Sequence, residues 1–496
     1  MRSDLNHSRL SRRLFLASLA ACTSSVAIAQ TQVAPTGAKR VVVPIPSLSQ
    51  IMAKYAVSGD QSIVVMDVAT GRVLEQVNAG KSLPPASVTK VATTLYGLRN
   101  LGSDFHYVTR LVGSGKVANG VLQGDLTLMG GGDPLLDTDA LGAMAQRLAT
   151  KGIRGVAGKF QVHSDALPYQ RVIDKEQLDH VGYNASVSGL NLNFNRVFFE
   201  WKRNGSGHEI SLTAKGRKYA PRVSGIKLNT AARKFPVYAY RSVNGADHWT
   251  VASGALGGGG SRWLPVRAPA NYAAETFRAI AQELGVTLPN PTTTRTNPRG
   301  VVLAQYNSDS LAAITRDMLK FSNNLTAEVV GLTASKRRKV SGKSLAASGK
   351  EMGNWLAKTY KVKGAKFVDH SGLGDGSRIS GRDMVLLLRR DGWNGPLRGL
   401  LKDIGLRDAN WKAAPIAGVS VVAKTGTLNF TSALAGYVEC PNGRQLAFAI
   451  FTADQRKRAA IAKDQTDRAP GAKSWARGSR ILQHQLIARW AKVYGA

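Results

Sequence analysis

The chain has 496 residues, 43% of them hydrophobic and 20% charged, and no apolar stretch reaches the length of a membrane span. This composition is typical of a soluble globular protein, and the length favours two or three domains. The charge is unusual, because 67 basic residues against 32 acidic ones give a net charge of +35. Such an excess favours a polyanionic partner: nucleic acid, an anionic membrane surface or an anionic wall polymer. No helix-turn-helix, zinc-finger or aromatic RNA-binding pattern accompanies the charge, so we expect no nucleic-acid partner.

The N-terminal residues have the order of a secretory signal. Arg12-Arg13 precedes an apolar run, and Ala27-Ile28-Ala29 follows as a small-residue cleavage site. This order predicts a signal peptide of the twin-arginine type over residues 1–29, and therefore a periplasmic protein that is exported already folded.

A second kind of processing competes with that prediction. Leu19-Ala20-Ala21-Cys22 also resembles a lipoprotein site, which would leave Cys22 with a lipid anchor. We favour cleavage after Ala29. The mature chain then keeps Cys440 as its single cysteine and has no internal disulfide.

The next stretch of chain combines strand and helix patterns. Residues 30–46 are rich in Pro, Val and Thr and predict a linker. Ser62–Asp67 and Val73–Val77 are separated by a short turn and predict a β-hairpin. From Ser87 onward the apolar residues recur at helical spacing, at Val88, Val91, Leu95 and Leu98.

The middle of the chain, from about residue 112 to 290, is rich in glycine and in short strand patterns. Its strand-like stretches include Leu126–Leu128, Asn191–Phe194 and Val197–Trp201. Helical spacing predicts helices over Leu141–Leu148 and Tyr272–Leu284. Gly257–Gly260 predicts a flexible loop, and no Gly-Lys-Ser/Thr follows it, so we expect no phosphate-binding loop there.

The last part of the chain returns to a mixed pattern. Residues 289–298 are rich in Pro, Thr and Asn, and a helical period follows from Leu311. Later elements are a strand, a second hairpin and a terminal amphipathic helix, at Val419–Ala423, Ala433–Val438 with Leu446–Phe451, and Ile481–Val493. The order predicts an α/β unit split in two by a β-rich insertion of about two hundred residues.

Three short motifs carry the chemistry: Ser87-Val88-Thr89-Lys90, Ser322-Asn323-Asn324 and Lys424-Thr425-Gly426. A serine hydroxyl is a poor nucleophile until a base removes its proton. On a helix, the amine of Lys90 lies on the same face as Ser87. A lysine acts as a base when its pKa is lowered, by burial or by a nearby cation such as Lys424. The motifs therefore predict an acyl-transfer site with Ser87 as nucleophile and Lys90 as base, which would attack amide bonds.

The third motif has the pattern of a substrate-binding strand. If Lys424–Thr427 lies at a sheet edge, an extended peptide can pair with it by strand addition. Gly426 would allow close approach of the substrate backbone. Lys424 and Thr425 suit a terminal carboxylate.

The remaining motif residues are candidates for supporting roles. The backbone N–H groups of Thr427 and Ser87 would form an oxyanion hole. Ser322 would pass the proton to the leaving amine. Asn324 would hold the substrate amide.

Other chemistries have weaker support. Ser224–Lys227 and Ser242–Asn244 repeat the first two patterns, but they lie in strand-like or loop sequence and not at the start of a helix. No Gly-x-Ser-x-Gly elbow is present, and the eight histidines show no metal-binding spacing. We expect neither a metal nor a cofactor.

With these residues the chain resembles the class C low-molecular-mass penicillin-binding proteins, the D-Ala-D-Ala carboxypeptidase/endopeptidase family. The likeness extends from about Ser62 to Thr452. Beyond the three motifs it is carried by Pro85-Ala86, Gly124–Leu126, Gly131–Pro134, Leu190–Asn193, Met318–Phe321, Ala327-Glu328 and Asp369–Leu373. The resemblance implies that Ser87 is acylated and Lys90 is the base. It implies supporting roles for Ser322, Asn324 and Lys424.

The resemblance also implies the architecture. It is an α/β (α+β) penicillin-recognising, transpeptidase-like catalytic domain, in which an antiparallel sheet is flanked by helices and interrupted by β-rich inserted domains. The predicted segments are a signal peptide (1–29), a linker (30–46), the catalytic domain (47–112 and 298–496), inserted domain II (113–195 and 265–297) and inserted domain III (196–264).

Family members cleave the terminal D-Ala, or the D-Ala cross-links, of peptidoglycan stem peptides, and β-lactams acylate the same serine. We therefore predict a serine D,D-peptidase whose partners are stem peptides and, as covalent inhibitors, β-lactams. An anionic wall polymer as a further partner would explain the positive charge. Two alternatives remain: a non-catalytic wall- or nucleic-acid-binding protein on a degenerate penicillin fold, and a β-lactamase or esterase. The sequence leaves open the choice between carboxypeptidase and endopeptidase, the third stem-peptide residue and the oligomeric state.

One stretch departs from the family pattern. Gly374-Asp375-Gly376 intervenes before Ser377-Arg378, and His370 replaces a common small residue. These differences affect the predicted local loop and not the acylation centre. In the inserted domain, Asp165 is a further candidate for a stem-peptide contact.

Overall fold

The computed structural model describes residues 44–340 and 342–496, so the predicted signal peptide, Cys22 and most of the predicted linker lie outside the described residues. The helices are α1 (Leu48–Lys54), α2 (Thr89–Leu101), α3 (Thr138–Thr150), α4 (Pro269–Glu283), α5 (Leu311–Phe321), α6 (Asn324–Arg337), α7 (Leu345–Thr359), α8 (Gly381–Asp391), α9 (Gln455–Ala459) and α10 (Ala472–Tyr494). Within the described residues, none of the helices combines the length and the apolar character needed to cross a membrane.

The strands are short and numerous. They are β1 (Asp60–Asp67), β2 (Val73–Val77), β3 (Ser82–Leu83), β4 (Val108–Gly113), β5 (Val117–Ala118), β6 (Val121–Leu122), β7 (Leu126–Met129), β8 (Gly155–Val156), β9 (Phe160–His163), β10 (Arg196–Asn204), β11 (Gly207–Thr213), β12 (Ile226–Ala231), β13 (Tyr238–Val243), β14 (Ala246–Ala252), β15 (Gly259–Pro265), β16 (Pro291–Thr294), β17 (Val301–Asn307), β18 (Ile379–Ser380), β19 (Lys402–Asp403), β20 (Ser420–Leu428), β21 (Thr431–Glu439) and β22 (Gln445–Ala453).

A six-stranded antiparallel sheet joins the two ends of the chain. Its order is β19-β20-β21-β22-β1-β2, so strands from the start of the chain pair with strands from its end. Both predicted hairpins, β1–β2 and β21–β22, are confirmed. The predicted strand at Val419–Ala423 continues through Lys424-Thr425-Gly426 to Leu428, which places the third motif inside β20.

Helices cover both faces of this sheet. On one face, α2, α5, α6, α7 and α8 share a core with the sheet, and on the other α10 buries Trp490 completely. Helices α2 and α6 pack closely at Gly97, where a Cβ would come within 2.5 Å of the Val330 side chain. Their close packing fixes Lys90 of α2 relative to Asn324, the first residue of α6.

The chain between α2 and α5 forms a β-rich region with its own core. It contains a five-stranded sheet, β16-β9-β7-β4-β17, and three three-stranded sheets, β11-β10-β15, β12-β14-β13 and β5-β6-β8. Helices α3 and α4 pack in the same core. The insertion is therefore confirmed, while the numbered domain boundaries given above remain a prediction.

Two local predictions were wrong. Asn191–Phe194 is not a strand, because Asn193, Phe194 and Asn195 form a 3-10 turn with φ values of 50°, 57° and 52°. Asparagine tolerates this left-handed conformation, and the Asn195 side chain accepts the Leu192 backbone N–H at 3.0 Å in place of a strand partner. Gly257–Gly260 is only partly a loop, since Gly259 and Gly260 begin β15 and pair with β10.

Candidate active site

Ser87 lies in a tight turn at the start of α2. The turn is a 3-10 helix, Ala86–Val88, in which Ala86 has a φ of 46°. Ala86 and Val88 are buried, whereas Ser87 is partly exposed. Lys90 follows in the first turn of α2, and its Nζ lies 3.1 Å from Ser87 Oγ. The helical spacing thus brings the hydroxyl and the amine together.

Lys90 is completely buried and has two further partners. Its Nζ donates to Asn324 Oδ1 at 2.7 Å and to the Ser371 carbonyl oxygen at 2.8 Å. Burial lowers the pKa of Lys90 to about 7, and the charges of Glu328 and Asp369 act in the opposite direction. Of the two causes that the sequence offered for a lowered pKa, burial is the one that the structure supports.

The second lysine, Lys424, lies beside the second serine. Its Nζ is 3.1 Å from Ser322 Oγ and 2.6 Å from the Thr425 carbonyl oxygen. Ser322 has a left-handed backbone, with φ 58°, and forms the sharp turn between α5 and α6. Burial lowers the pKa of Lys424 well below its usual value, and the charges of Lys90 and Lys402 lower it further.

The third motif faces an open sheet edge. Strand β19 pairs with β20 only at Val422 and Ala423, so from Lys424 onward the outer edge of β20 has no strand partner among residues 44–340 and 342–496. Thr425 and Thr427 are exposed and Gly426 is buried. A Cβ on Gly426 would come within 2.6 Å of the Pro85 carbonyl oxygen and 3.0 Å of Ser87 N. Gly426 is therefore needed for β20 to pack against the serine turn.

Two buried carboxyl groups, Glu328 and Asp369, lie behind Lys90; the sequence indicated them only as part of the family resemblance and with no role of their own. Glu328 accepts the backbone N–H groups of His370 and Ser371, and Asp369 accepts those of Gly372 and Gly374. We call residues 369–374 the base loop, because its Ser371 carbonyl contacts Lys90. Burial raises the pKa of both carboxyl groups. The charge of Asp369 raises the pKa of Glu328 further, and the charge of Lys90 lowers both pKa values.

His370, the departure from the family pattern, is buried behind the base loop. Its Nε2 lies 2.7 Å from Ser348 Oγ, and its ring stacks on Tyr96 at 6.2 Å between centroids. Burial lowers the pKa of His370 to about 3, so the ring is neutral. A Cβ on Gly331 would come within 2.1 Å of the ring, so the histidine fills space that Gly331 leaves free.

The insertion contacts the site at Tyr183. Asn324 Nδ2 donates to the Tyr183 carbonyl oxygen at 3.0 Å, which fixes the orientation of the amide and points Oδ1 at Lys90. No sequence signal indicated Tyr183. Asp165, in contrast, is exposed and lines a separate cavity of about 310 Å³ with Arg110, Arg295 and Lys336, and no motif residue lines that cavity.

Comparison with known proteins decides the family. The model of the D-Ala-D-Ala carboxypeptidase 3 (S13) family matches residues 46–471. The chain belongs to this family. It is 28% identical over 443 residues to a D-alanyl-D-alanine carboxypeptidase of Actinomadura sp. (strain R39), covering 80% of this chain and 77% of that protein. It is 22% identical over 444 residues to the D-alanyl-D-alanine carboxypeptidase DacB of Haemophilus influenzae, covering 82% and 88%.

Solved structures support the fold of this S13 member. The crystal structure of penicillin-binding protein 4 (DacB) from Haemophilus influenzae superposes with a TM-score of 0.72 at 19% identity, covering 88% of this chain and 99% of that one. A complex of the same protein with a β-lactam gives a TM-score of 0.69 at 18% identity, with the same coverage. The predicted penicillin-recognising α/β fold with an inserted region is therefore confirmed.

Proposed function

We propose that this S13 family member is a serine D,D-peptidase that forms an acyl-enzyme on Ser87. One observation carries the proposal: Ser87 Oγ lies 3.1 Å from the buried amine of Lys90, whose pKa is lowered to about 7. A neutral amine at this position is a base at physiological pH. The intact set of Ser87, Lys90, Ser322 and Lys424 also supports an enzyme over a non-catalytic binder on the same fold.

The geometry supports the following reaction. Lys90 Nζ takes the proton of Ser87 Oγ as the oxygen attacks the carbonyl carbon between the two D-Ala residues. The backbone N–H groups of Ser87 and Thr427 would stabilise the oxyanion. The C–N bond then breaks, and the proton that Lys90 took from Ser87 passes through Ser322, which Lys424 contacts, to the leaving amine. In the second half of the reaction water attacks the ester and gives a proton to Lys90. The bond between the acyl carbon and Ser87 Oγ breaks, Lys90 returns the proton to Oγ, and the shortened peptide leaves as a carboxylic acid.

The open edge of β20 supports a peptide substrate. An extended stem peptide would pair with residues 424–427 by strand addition, with its terminal carboxylate near Lys424 and Thr425. Asn324 already contacts Lys90 and Tyr183, so holding the substrate amide would be an additional role for it. Release of the terminal D-Ala agrees with the names of the relatives. Cleavage of a D-Ala cross-link is the same reaction with a side-chain amine as leaving group, and we propose it as a second activity.

A labelling experiment tests the acyl-enzyme. The purified protein should bind a fluorescent penicillin covalently, and Ser87→Ala should abolish the label. Ser224→Ala is a matched control, because Ser224 begins the second Ser-x-x-Lys in the chain and contacts Glu275 instead of a lysine. An unlabelled wild-type protein would support the non-catalytic binder, and rapid turnover of penicillin would support a β-lactamase.

Parallel digestion of a D-Ala-D-Ala pentapeptide and of cross-linked muropeptides would separate the two peptidase activities.

The location and the positive charge are linked proposals. We propose that the protein acts in the periplasm after export through its twin-arginine-type signal, with Cys22 lipidation as the alternative. The net charge of +35 would help to retain it on an anionic wall polymer. Retention on isolated wall material should weaken as salt screens the charges. Retention that is insensitive to salt would contradict this role of the charge.

A further inference from the structure

The hydrogen bonds of Lys90 determine where its lone pair points. A neutral lysine amine has two N–H donors and one lone pair. Asn324 Oδ1 and the Ser371 carbonyl oxygen can only accept, so each uses one N–H, at 2.7 and 2.8 Å. The remaining direction, toward Ser87 Oγ at 3.1 Å, is then left to the lone pair. The two acceptors thus orient the base toward the nucleophile.

Glu328 holds one of these acceptors in place. Its two carboxylate oxygens accept the N–H of Ser371 at 2.9 Å and that of His370 at 3.0 Å, and the side chain is completely buried. Both bonds tie down the backbone on the N-terminal side of the Ser371 carbonyl. Glu328 follows Asn324 by four residues, so one face of α6 positions both acceptors.

We propose that Glu328 is a positioning residue for the base: its carboxylate anchors the base loop so that the Ser371 carbonyl binds Lys90 and the lone pair of the amine faces Ser87. The inference rests on the acyl-enzyme mechanism proposed above. Glu328 acts through the loop backbone, and no direct contact with the substrate is required.

The charge of Glu328 gives a second measurable effect, a change in the pKa of Lys90. Three titratable groups face Lys90: Glu328 from α6, Asp369 from the base loop and Lys424 from β20. Burial lowers the pKa of Lys90, and the negative charge of Glu328 opposes that change. Burial raises the pKa of Glu328, whereas the two backbone N–H groups that its oxygens accept and the charge of Lys90 favour the carboxylate form. Where Glu328 is ionised, removing its charge should lower the pKa of Lys90 further.

Glu328→Gln tests both effects in one pH series of penicillin acylation rates. Glutamine keeps the size of the side chain, but its NH2 group would face a backbone N–H and leave that donor unpaired. The plateau rate should fall on the order of tenfold to a hundredfold, as expected for an unpaired buried donor. The midpoint of the acidic limb should move to lower pH, because the amine stays neutral to lower pH. The effect should appear in the acylation step and not in the initial binding of penicillin.

Two further variants keep the test decisive. Asp139→Asn is the matched control, because Asp139 also accepts backbone N–H groups, those of Arg217, Lys218 and Tyr219, but lies in the insertion. It should lower the melting temperature and leave the plateau and midpoint unchanged. Glu328→Asp keeps the charge but reaches less far, so its plateau should fall with a midpoint near that of the wild type. It carries the test if Glu328→Gln does not fold.

The outcomes distinguish this proposal from the acyl-enzyme proposal on which it rests. A wild-type protein that takes no label overturns the acyl-enzyme and this role together. A labelled wild type with unchanged rates in the Glu328 variants overturns this role alone. This role is also overturned if Glu328→Gln lowers only the melting temperature, as is expected for Asp139→Asn.

Discussion

Gly372 of the base loop lies directly against Ala86 of the serine turn. A Cβ on Gly372 would come within 1.8 Å of the Ala86 carbonyl oxygen. Gly372 also has a φ of 75°, a conformation that L-amino acids with a side chain rarely adopt. The loop that contacts the base and the turn that carries Ser87 are therefore packed backbone to backbone.

Gly372→Ala should disturb both elements at once. The strained backbone alone costs about 1–3 kcal/mol, and the contact with Ala86 adds to it. We expect a lower melting temperature and slower penicillin labelling of the fraction that remains folded. Gly80→Ala is the control, since Gly80 is exposed and an added Cβ there meets no atom within 4 Å. Equal stability of the two variants would contradict the close packing described here.

Acylation should depend on pH through Lys90. In the proposed mechanism the active base is the neutral amine, so the rate should rise with pH and level off above the pKa of Lys90, which burial lowers to about 7. Lys90→Arg should remove this activity, because guanidinium stays protonated throughout the range. Stopped-flow acylation between pH 5 and 9, on the order of two units either side of that pKa, would measure the midpoint. A rate that still rises at pH 9 without levelling off would show that burial does not lower the pKa of Lys90 to this value.

Ser322 and Lys424 should act as a pair. Their side chains lie 3.1 Å apart, so the single variants Ser322→Ala and Lys424→Ala remove the same interaction. In a double-mutant cycle on acylation rates we expect a coupling of about 0.5–3 kcal/mol, the range for groups in contact. Pairing Ser322→Ala with Asp139→Asn provides the distant control and should be additive. Additivity for Ser322 and Lys424 would mean that they do not share a proton path.

A side chain at position 331 and the His370 ring would compete for the same space, so substitutions at the two positions should have non-additive effects on stability. Gly331→Ala places a methyl group 2.1 Å from the His370 ring, and such overpacking costs about 1–3 kcal/mol. Adding His370→Ala should recover part of that loss, because the ring no longer occupies the space. Thermal unfolding of the two single variants and the double variant would show this. A double variant that is less stable than the sum of the singles would exclude the steric explanation.

Local spacing predicted much of the fold and the centre of the site. Lys90 lies three residues after Ser87 on a helix, and Lys424 extends a recognisable strand, so short patterns were sufficient to identify them. Glu328 could also have been identified from the sequence, because its four-residue spacing from Asn324 places both on one face of α6.

Other features depend on contacts between distant segments. Asp369 acts through a carboxylate that accepts backbone N–H groups of its own loop. Ser371 acts through its backbone carbonyl, and a sequence pattern does not indicate which carbonyl will face a lysine. The Tyr183 carbonyl reaches Asn324 from the insertion, 141 positions away. The turn at Asn193 was mistaken for a strand, because asparagine side chains replace the expected strand partners there.

The pairing of β1 with β22 has a consequence for biosynthesis. Ser62 lies opposite Phe451 in that pair, so the central sheet cannot close until nearly all of the chain has left the ribosome. Pairings between such distant segments form slowly, whereas the insertion has its own core and can fold earlier. A growing chain therefore carries Ser87 and Lys90 long before it contains a working catalytic centre.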